Sequence, residues 1–208
     1  MKNLLAVFCG LLLASGVAVA KGFDEGIEYQ ALASPQPTDT DDKIEVIEFF
    51  WYGCPHCYHL EPELHAWEQR LPDDVVFRRV PAVLGPSWEL MARAYYTAEL
   101  LDAVGKVHKP LFDAIHEDKK RFRTVDDLAA FFAKQGIPEA DFRKTWQSFP
   151  VVVNTNRAKQ ARERYGISGV PTLVVNGKYR TSASMAGGNE AMLRVVDYLI
   201  ERERAVTE

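Results

Sequence analysis

Cysteine is scarce in this chain of 208 residues, which contains three. Cys9 lies in an apolar stretch near the N-terminus, and this leaves Cys54 and Cys57 in the rest of the chain. A single closely spaced pair cannot form the disulfide framework on which small secreted proteins depend. The fold must therefore be stabilised by an ordinary apolar core, which a chain of this length with 47% hydrophobic residues can form.

The chain also lacks long apolar runs, an excess of positive charge and repeats. No segment approaches the roughly 18 uninterrupted apolar residues of a membrane-spanning helix. The formal net charge of −4 argues against a nucleic-acid-binding surface. No internal repeat or low-complexity tract is present. These absences argue against membrane-spanning, nucleic-acid-binding and repeat proteins.

Residues 1–20 have the pattern of a secretory signal peptide. Lys2 carries the positive charge, an apolar core covers residues 4–13, and Ala18-Val19-Ala20 matches the small-x-small pattern of a signal-peptidase site. We therefore expect an exported protein whose mature chain begins at or near Lys21. The cysteine pair would then work in an oxidising compartment.

The cysteine pair belongs to the motif Cys54-Pro55-His56-Cys57, which follows an apolar run at residues 44–53 and precedes a helix-like stretch at residues 58–70. A C-x-x-C motif between a strand and the start of a helix is typical of redox sites. Unpaired backbone N–H groups and the positive end of the helix dipole favour a thiolate at Cys54, and the thiolate is the reactive species. Pro55 occupies a position where a first-turn proline is tolerated, and His56 can donate to the same sulfur or carry positive charge beside it.

Three other roles for a cysteine pair are less well supported. A structural disulfide that closes so short a loop contributes only about 2 kcal/mol and joins no distant elements. Zinc usually needs four ligands; the pair offers two, with His59 and His65 nearby but no second cysteine pair. Attachment of c-type haem requires His directly after the second Cys, where this chain has Tyr58. The motif therefore favours redox catalysis, and we expect no metal ion.

Strand and helix patterns alternate in a way that predicts an α/β fold. We expect an edge strand within residues 26–32, a central strand at 44–51 and a neighbouring strand at 75–83. The helix between the last two predicts a right-handed βαβ crossover. The dipeptide Asn176-Gly177 between β-rich runs predicts a hairpin, after which a last helix begins at Asn189.

Residues 86–166 carry helical patterns instead of strand patterns. Four helices are expected there, the first capped by Ser87, the second opened by Thr124 with Asp127, and the others beginning at Pro138 and Val151. In the third helix, the i, i+4, i+7 spacing predicts three core aromatic residues: Phe142, Trp146 and Phe149. This helical segment lies between two β segments, so we interpret it as an insertion.

Taken together, these motifs resemble the DsbA-type periplasmic thiol:disulfide oxidoreductases of the thioredoxin superfamily. The similarity rests on Glu-Phe-Phe at 48–50, Cys-Pro-His-Cys at 54–57, the helical insertion, and Val-Pro-Thr at 170–172 before the hairpin and last helix. It implies a thioredoxin-like α/β fold with an inserted all-helical domain. Residues 21–85 and 167–208 would form the thioredoxin-like domain, and residues 86–166 the insertion. Dimeric disulfide isomerases carry a separate N-terminal dimerisation domain, for which this sequence has no room. The resemblance implies a monomer.

The resemblance also implies an activity and its partners. The protein would be a thiol:disulfide oxidase that donates its Cys54–Cys57 disulfide to newly exported, unfolded proteins through a mixed disulfide at Cys54. Its redox group would be this disulfide, with no other cofactor, and its reoxidant a quinone-linked protein of the inner membrane. A reductase or isomerase of the same fold and a chaperone-like binding protein with an incidental cysteine pair stay open as alternatives.

Glu48 is a further candidate because it lies six residues before Cys54 in the predicted buried strand. A buried carboxyl holds its proton more readily than one in water, and it can shuttle a proton for Cys57. The residues alone equally allow a tolerated glutamate at an edge or beside water, and the resemblance favours the shuttle. Glu61, on the active-site helix, could tune the local electric field, but the pattern favours a solvated helix face for it. His59 and His65 are also expected on the surface.

Val170 and Pro171 are the candidate substrate-binding residues. From the sequence pattern alone, a trans proline in an edge strand is favoured, because cis peptide bonds are uncommon even before proline. The resemblance instead implies a cis proline that faces the Cys-Pro-His-Cys motif. Backbone groups of both residues would then pair with an extended substrate chain beside Cys54.

Overall fold

The structure is a computed structural model that describes residues 22–40 and 42–207, so the expected signal peptide and Cys9 lie outside the described residues. The strands are β1 (Gln30–Ala31), β2 (Ile44–Phe50), β3 (Val75–Pro81), β4 (Thr172–Val175) and β5 (Tyr179–Thr181). The helices are α1 (Pro55–Glu68), α2 (Pro86–Leu100), α3 (Val104–His116), α4 (Val125–Lys134), α5 (Glu139–Trp146), α6 (Phe149–Arg164), α7 (Ala183–Ala186) and α8 (Asn189–Thr207). Among the described residues, no helix combines the length and apolar composition needed to cross a membrane.

The five strands form one mixed sheet in the order β1-β5-β4-β2-β3. Strand β2 pairs in parallel with β3 and antiparallel with β4, and all seven of its residues are buried. An interior strand covered on both faces needs apolar residues on both faces, which explains why its sequence does not alternate. The predicted central strand, its parallel neighbour and the edge strand are confirmed.

Two apolar layers cover the two faces of the sheet. Residues of α1 and α8, such as Leu64 and Val196, pack with Val46 of β2 on one face. On the other face, Ile47 packs in a cluster that includes Phe112 of α3 and residues of the other helices between β3 and β4. A fully buried side chain of this kind contributes about 1.5 to 3 kcal/mol, so both layers are needed to offset the entropy of the chain.

The hairpin predicted at Asn176-Gly177 is present between β4 and β5. Both residues have positive φ, 49° and 62°, as the favoured two-residue hairpin turn requires. A Cβ atom on Gly177 would lie 2.1 Å from the carbonyl oxygen of Gln36, so the glycine also allows the preceding loop to pack closely. The turn is therefore fixed both by its backbone conformation and by its neighbour.

Five helices, one more than predicted, lie between β3 and β4. The additional helix is α3, which the sequence pattern concealed because it contains Gly105 and Pro110, two residues that normally interrupt helices. The capping box of Thr124 and Asp127 at the start of α4 is confirmed. The cap expected at Ser87 is wrong, because Gly85 is the N-cap of α2 and a proline follows it in the first turn.

Phe149 is also misplaced by the sequence pattern. Helix α5 ends at Trp146, and the chain begins a new helix at Phe149, so the predicted i, i+7 spacing is broken. Phe142 and Trp146 are buried as expected, whereas Phe149 is 79% exposed. The helices α2–α6 nevertheless form the helical insertion, and the exact domain boundaries at residues 86 and 166 stay a prediction.

Candidate active site

The motif lies where the central strand meets the first helix. Cys54 is the N-cap residue of α1, with an extended backbone (φ −89°, ψ 116°), and proline occupies the first turn as predicted. The N–H group of Cys54 donates to the carbonyl of Trp51 at 2.9 Å, and the N–H group of Tyr58 donates to the carbonyl of Cys54 at 3.1 Å. The loop and the helix together hold the first sulfur at the helix N-terminus, where a thiolate is favoured.

The two cysteines, both free thiols in this structure, differ in exposure and acidity. Cys54 is 8% exposed and Cys57 is fully buried. The pKa of Cys54 is lowered to about 6, and the largest cause is the hydrogen bond from the Cys57 side chain. Burial opposes this shift, whereas the backbone N–H groups of Cys57 and His56 and the charge of His56 add to it. Burial is the largest cause that holds the pKa of Cys57 far above its ordinary value, and the side-chain hydrogen bond with Cys54 is the next. The pair therefore divides into an accessible thiolate and a buried thiol.

Val170 and Pro171 lie beside the first sulfur, just before β4. The Val170–Pro171 peptide bond is cis, as the resemblance implied. The Sγ atom of Cys54 is 3.4 Å from the carbonyl oxygen of Val170, although 116 residues separate them in the sequence. The strand that carries the proline is thus within reach of any chain bonded to Cys54.

Glu48 is fully buried in β2, opposite Arg79 of β3. Its Oε2 atom is 3.3 Å from Nε of Arg79, and neither carboxyl oxygen has a hydrogen-bond partner among the described residues. Burial, and after it the charge of Glu61, raise the pKa of Glu48 to about 8 despite the opposing charge of Arg79. In its charged form Glu48 raises the pKa of Cys57, so this carboxyl lies within electrostatic reach of the buried sulfur. At neutral pH the carboxyl is protonated.

Glu61 belongs to the same buried group, and the expectation that it lies on a solvated helix face is wrong. Its carboxylate is 3.6 Å from Arg79 and 3.2 Å from Nε2 of His108 on α3. Because sequence analysis did not predict α3, that side of α1 seemed open to water. His59 and His65, on the outer side of α1, are exposed as expected.

Helix α3 contributes residues that sequence analysis missed. His108, Phe112 and His116 are spaced by four residues, which places them on one helical face. Nδ1 of His108 lies 2.8 Å from the hydroxyl of Tyr52, the Phe112 ring centroid is 4.9 Å from the Tyr52 ring centroid, and Nε2 of His116 lies 2.8 Å from the Tyr52 carbonyl oxygen. This face therefore holds the loop that precedes Cys54 at three points. The i, i+4, i+8 spacing was the available signal, and Pro110 obscured it.

Two tryptophans form an aromatic surface next to the motif. The rings of Trp51 and Trp88 are stacked, with centroids 4.1 Å apart and an interplanar angle of 9°. Trp51 also covers Gly53, where a Cβ atom would lie 2.5 Å from the indole ring. Over residues 22–40 and 42–207, no group of three or more His, Cys, Asp or Glu side chains is arranged to hold a metal ion.

Comparison with known proteins identifies relatives of the whole chain. A model of the DSBA-like thioredoxin domain family matches residues 45–199. The thiol:disulfide interchange protein DsbA of Azotobacter vinelandii is 47% identical over 180 residues, which are 86% of this chain and 84% of that protein. The protein of the same name from Pseudomonas aeruginosa strain PAO1 is 41% identical over 210 residues and the full length of both chains.

Solved structures agree with the sequence comparison. The crystal structure of Pseudomonas aeruginosa DsbA superposes with a TM-score of 0.86 and 43% identity, covering 89% of this chain and 96% of that one. The oxidoreductase DsbA from Xylella fastidiosa superposes with a TM-score of 0.80 and 37% identity, covering 86% and 96%. The chain therefore has the predicted thioredoxin-like fold with a helical insertion, and it belongs to the DsbA family of thiol:disulfide oxidoreductases.

Proposed function

We propose that the protein is a periplasmic dithiol oxidase, which reaches the periplasm after cleavage near Ala20 and donates the Cys54–Cys57 disulfide to newly exported proteins. The observation that carries this proposal is the unequal acidity of the two sulfurs, with the pKa of Cys54 lowered to about 6 and that of Cys57 strongly raised. A stabilised thiolate favours the reduced enzyme, and an enzyme whose reduced form is favoured is an oxidant. The family comparison points to the same activity.

The reaction transfers two electrons from the substrate to the enzyme in two exchanges. A substrate thiolate attacks Sγ of Cys54; the Cys54–Cys57 bond breaks, a mixed disulfide forms, and Cys57 departs with the electron pair and takes up a proton. The second substrate thiolate then attacks the substrate sulfur of the mixed disulfide, and Cys54 departs as a thiolate. A leaving thiol of low pKa departs faster, which favours release of the oxidised product.

Glu48 is the proposed proton donor for Cys57 in the first exchange. Its carboxyl holds a proton at neutral pH because burial, and then the charge of Glu61, raise its pKa to about 8. Cys57 needs that proton because burial, first among several causes, raises the pKa of its thiol. A buried acid with a pKa near the working pH is well suited to proton transfer.

The proposed substrate site is formed by Val170 and Pro171 beside Cys54. The Val170 carbonyl, 3.4 Å from the Cys54 sulfur, is a backbone acceptor that an extended peptide can use. Main-chain pairing places few demands on side chains, as an oxidant of many different proteins requires. Residues 21–85 and 167–208 are proposed as the thioredoxin-like domain that carries this site, with residues 86–166 as the inserted domain.

The proposed cycle needs two classes of protein partner and no further redox group. Unfolded or newly exported proteins supply the dithiols, and a quinone-linked protein of the inner membrane reoxidises the reduced enzyme. Either partner would meet the enzyme at Cys54, which is 8% exposed, since Cys57 is fully buried. We propose that the enzyme acts as a monomer.

The first experiment is the equilibrium of the Cys54–Cys57 pair with glutathione, followed by tryptophan fluorescence because Trp51 lies three residues from Cys54. An oxidase is fully reduced by mildly reducing glutathione. Resistance to reduction would instead favour a reductase or an inert structural disulfide, and it would refute the oxidase mechanism. Replacement of Cys54 by Ser distinguishes an oxidase from a chaperone-like binding protein. The binding protein would keep its cellular function in this variant, whereas the oxidase would lose it.

A further inference from the structure

His108 connects the helical insertion to the buried charged residues beneath the active site. It lies on α3, is 7% exposed, and contacts two groups at once. Its Nε2 atom is 3.2 Å from Oε1 of Glu61, and its Nδ1 atom is 2.8 Å from the hydroxyl of Tyr52. The other oxygen of Glu61 is 3.6 Å from Arg79, whose Nε atom is 3.3 Å from Glu48.

The partners of His108 fix which ring nitrogen carries the proton. Burial opposes ionisation of Glu61, but the hydrogen bond from His108 and the charge of Arg79 outweigh it, so the pKa of Glu61 is lowered and its carboxylate accepts from Nε2–H of His108. Burial keeps the pKa of Tyr52 well above its usual value, so its hydroxyl keeps its proton and donates to Nδ1. Burial also lowers the pKa of His108, and a neutral imidazole satisfies both bonds.

Arg79 is the cation that the neighbouring acids share. It lies within 3.3 to 3.6 Å of three carboxyl groups, those of Glu48, Glu61 and Glu68. Because Glu61 is a carboxylate, its negative charge already pairs with Arg79, so Arg79 stabilises a charge on Glu48 less effectively. The groups that act on Glu48 are then the carboxylates of Glu61 and Glu68 on α1, the guanidinium of Arg79 on β3 and the thiolate of Cys54. Three of the four favour the protonated form of Glu48.

We propose that His108 is a positioning residue for thiol–disulfide exchange: its hydrogen bond holds the Glu61 carboxylate in place beside Arg79, so that Glu48 retains the proton that Cys57 receives. This inference rests on the proposed function only for the last step, the transfer to Cys57. The arrangement of His108, Glu61, Arg79 and Glu48 can be tested without any turnover. Through this arrangement, a residue of the helical insertion influences Glu48 on the central strand.

Two substitutions separate the contacts of His108. In His108→Gln, the side-chain amide nitrogen replaces Nε2, so Glu61 keeps a donor. In His108→Asn, the shorter amide oxygen replaces Nδ1, so the Tyr52 hydroxyl keeps an acceptor and Glu61 loses its donor. A hydrogen bond to a charged group changes an equilibrium constant by about tenfold or more. Without a donor on His108 the Glu61 carboxylate is free to turn away from Arg79, which leaves Arg79 free to stabilise a charged Glu48 and weakens the repulsion by Glu61. We therefore expect the titration midpoint of Glu48 to fall by about one pH unit in His108→Asn and to stay near the wild-type value in His108→Gln.

The midpoint is measured by carbon-13 NMR of the glutamate side-chain carboxyl carbons in the reduced protein, with the Glu48 signal assigned from Glu48→Gln. Tyr52→Phe is the matched control, since it removes the other His108 contact and should leave the Glu48 midpoint unchanged. Equal Glu48 midpoints in wild type and in folded His108→Asn would overturn the proposal. So would a shift of the same size in Tyr52→Phe, because loosening of the loop would then be the cause.

Glu61→Gln provides a second route if His108→Asn does not fold. It should lower the Glu48 midpoint by itself, because it removes the charge through which His108 acts, and an unchanged midpoint would contradict the proposal. Where the double variant folds, adding His108→Asn to Glu61→Gln should cause no further shift, and a further fall would also contradict the proposal. The last step is tested by the rate of reduction of the oxidised enzyme by a dithiol peptide, corrected for the thiolate fraction of the peptide. Its dependence on pH should move by the same unit in His108→Asn; a wild-type enzyme that does not react at all would refute the proposed function, whatever the NMR titration shows.

Discussion

The hydrogen bond between the two cysteines is the largest influence on the acidity of Cys54, and it can be removed without touching the reactive sulfur. We compare Cys57→Ala, which removes the donor, with Cys57→Ser, which keeps a hydroxyl donor of similar size. A bond to a charged acceptor is worth about 1.5 to 3 kcal/mol, and a thiol is a weak donor, so we take about 1.4 kcal/mol, or one pKa unit. The Cys54 pKa, about 6 in the wild type, should therefore rise by about one unit in Cys57→Ala and stay near 6 in Cys57→Ser.

The lowered pKa of Cys54 stabilises the reduced enzyme by an amount that depends on pH. The pKa of Cys54 is depressed from 9.0 to about 6, so the thiolate stabilises the reduced fold fully above pH 9, and this contribution is lost as the pH falls through 6. At pH 7 the shift corresponds to about 1.4 kcal/mol, and screening by solvent at the helix end reduces this to about 1 kcal/mol. Cys57→Ala should lose most of that amount.

The assay is the thiolate absorbance at 240 nm as a function of pH, supported by the rate of alkylation of Cys54 by iodoacetamide. Circular dichroism of both variants shows whether the fold is retained. Equal midpoints near 6 in Cys57→Ala and Cys57→Ser would refute the argument. The helix N-terminus and His56 would then account for the acidity without the second cysteine.

Three further predictions concern the strand, the loop and the insertion. Glu48→Gln should make the protein more stable than the wild type by about 3 kcal/mol at pH 7 and equally stable at pH 4. The reason is that the pKa of Glu48 is raised from 4.5 to about 8 in the folded protein, so the wild type loses stability as the pH rises above 4.5. Urea unfolding at the two pH values measures this difference, and equal gains at both would contradict the prediction. Gly53→Ala should displace Trp51 and abolish the near-ultraviolet circular dichroism signal of the stacked tryptophans, since its Cβ would lie 2.5 Å from the indole; an unchanged signal would show that the loop can yield. Thr124→Ala should lower stability by about 1 kcal/mol in urea unfolding, and Thr124→Ser should not, because Ser keeps the hydroxyl that caps α4.

The elements that sequence analysis predicted are those with strong local signals. The buried run of β2, the Cys-Pro-His-Cys helix start, the capping box at Thr124 and the Asn176-Gly177 turn each depend on neighbouring residues, and the structure contains all of them. The fold class followed from their order and from the family resemblance. Local rules are sufficient where a short segment determines its own backbone.

The errors at Ser87 and Phe149 concern the exact ends of helices, whereas the errors that affect the active site arose where a distant element decides the environment of a residue. Helix α3 contains Pro110, which breaks the local pattern, and its stability comes from packing of Val107, Leu111 and Phe112 in the core. Once α3 is missing from a prediction, Glu61 has nothing to cover it and is assigned to the surface. The contact of His108 with Glu61 could not be predicted for the same reason, because it needs α3 to lie against α1.

The strand order determines when the active site is complete during synthesis of the chain. Residues 46–49 of β2 pair with residues 172–175 of β4, and β4 follows the whole helical insertion. A chain that is made from its N-terminus delivers the two cysteines long before it delivers the strand that completes their surroundings. Pairing between such distant segments is slow, because the loop between them must be closed first. The motif therefore emerges as an ordinary pair of unfolded thiols, and its acidity and its place beside Val170 arise only when nearly all of the chain has arrived.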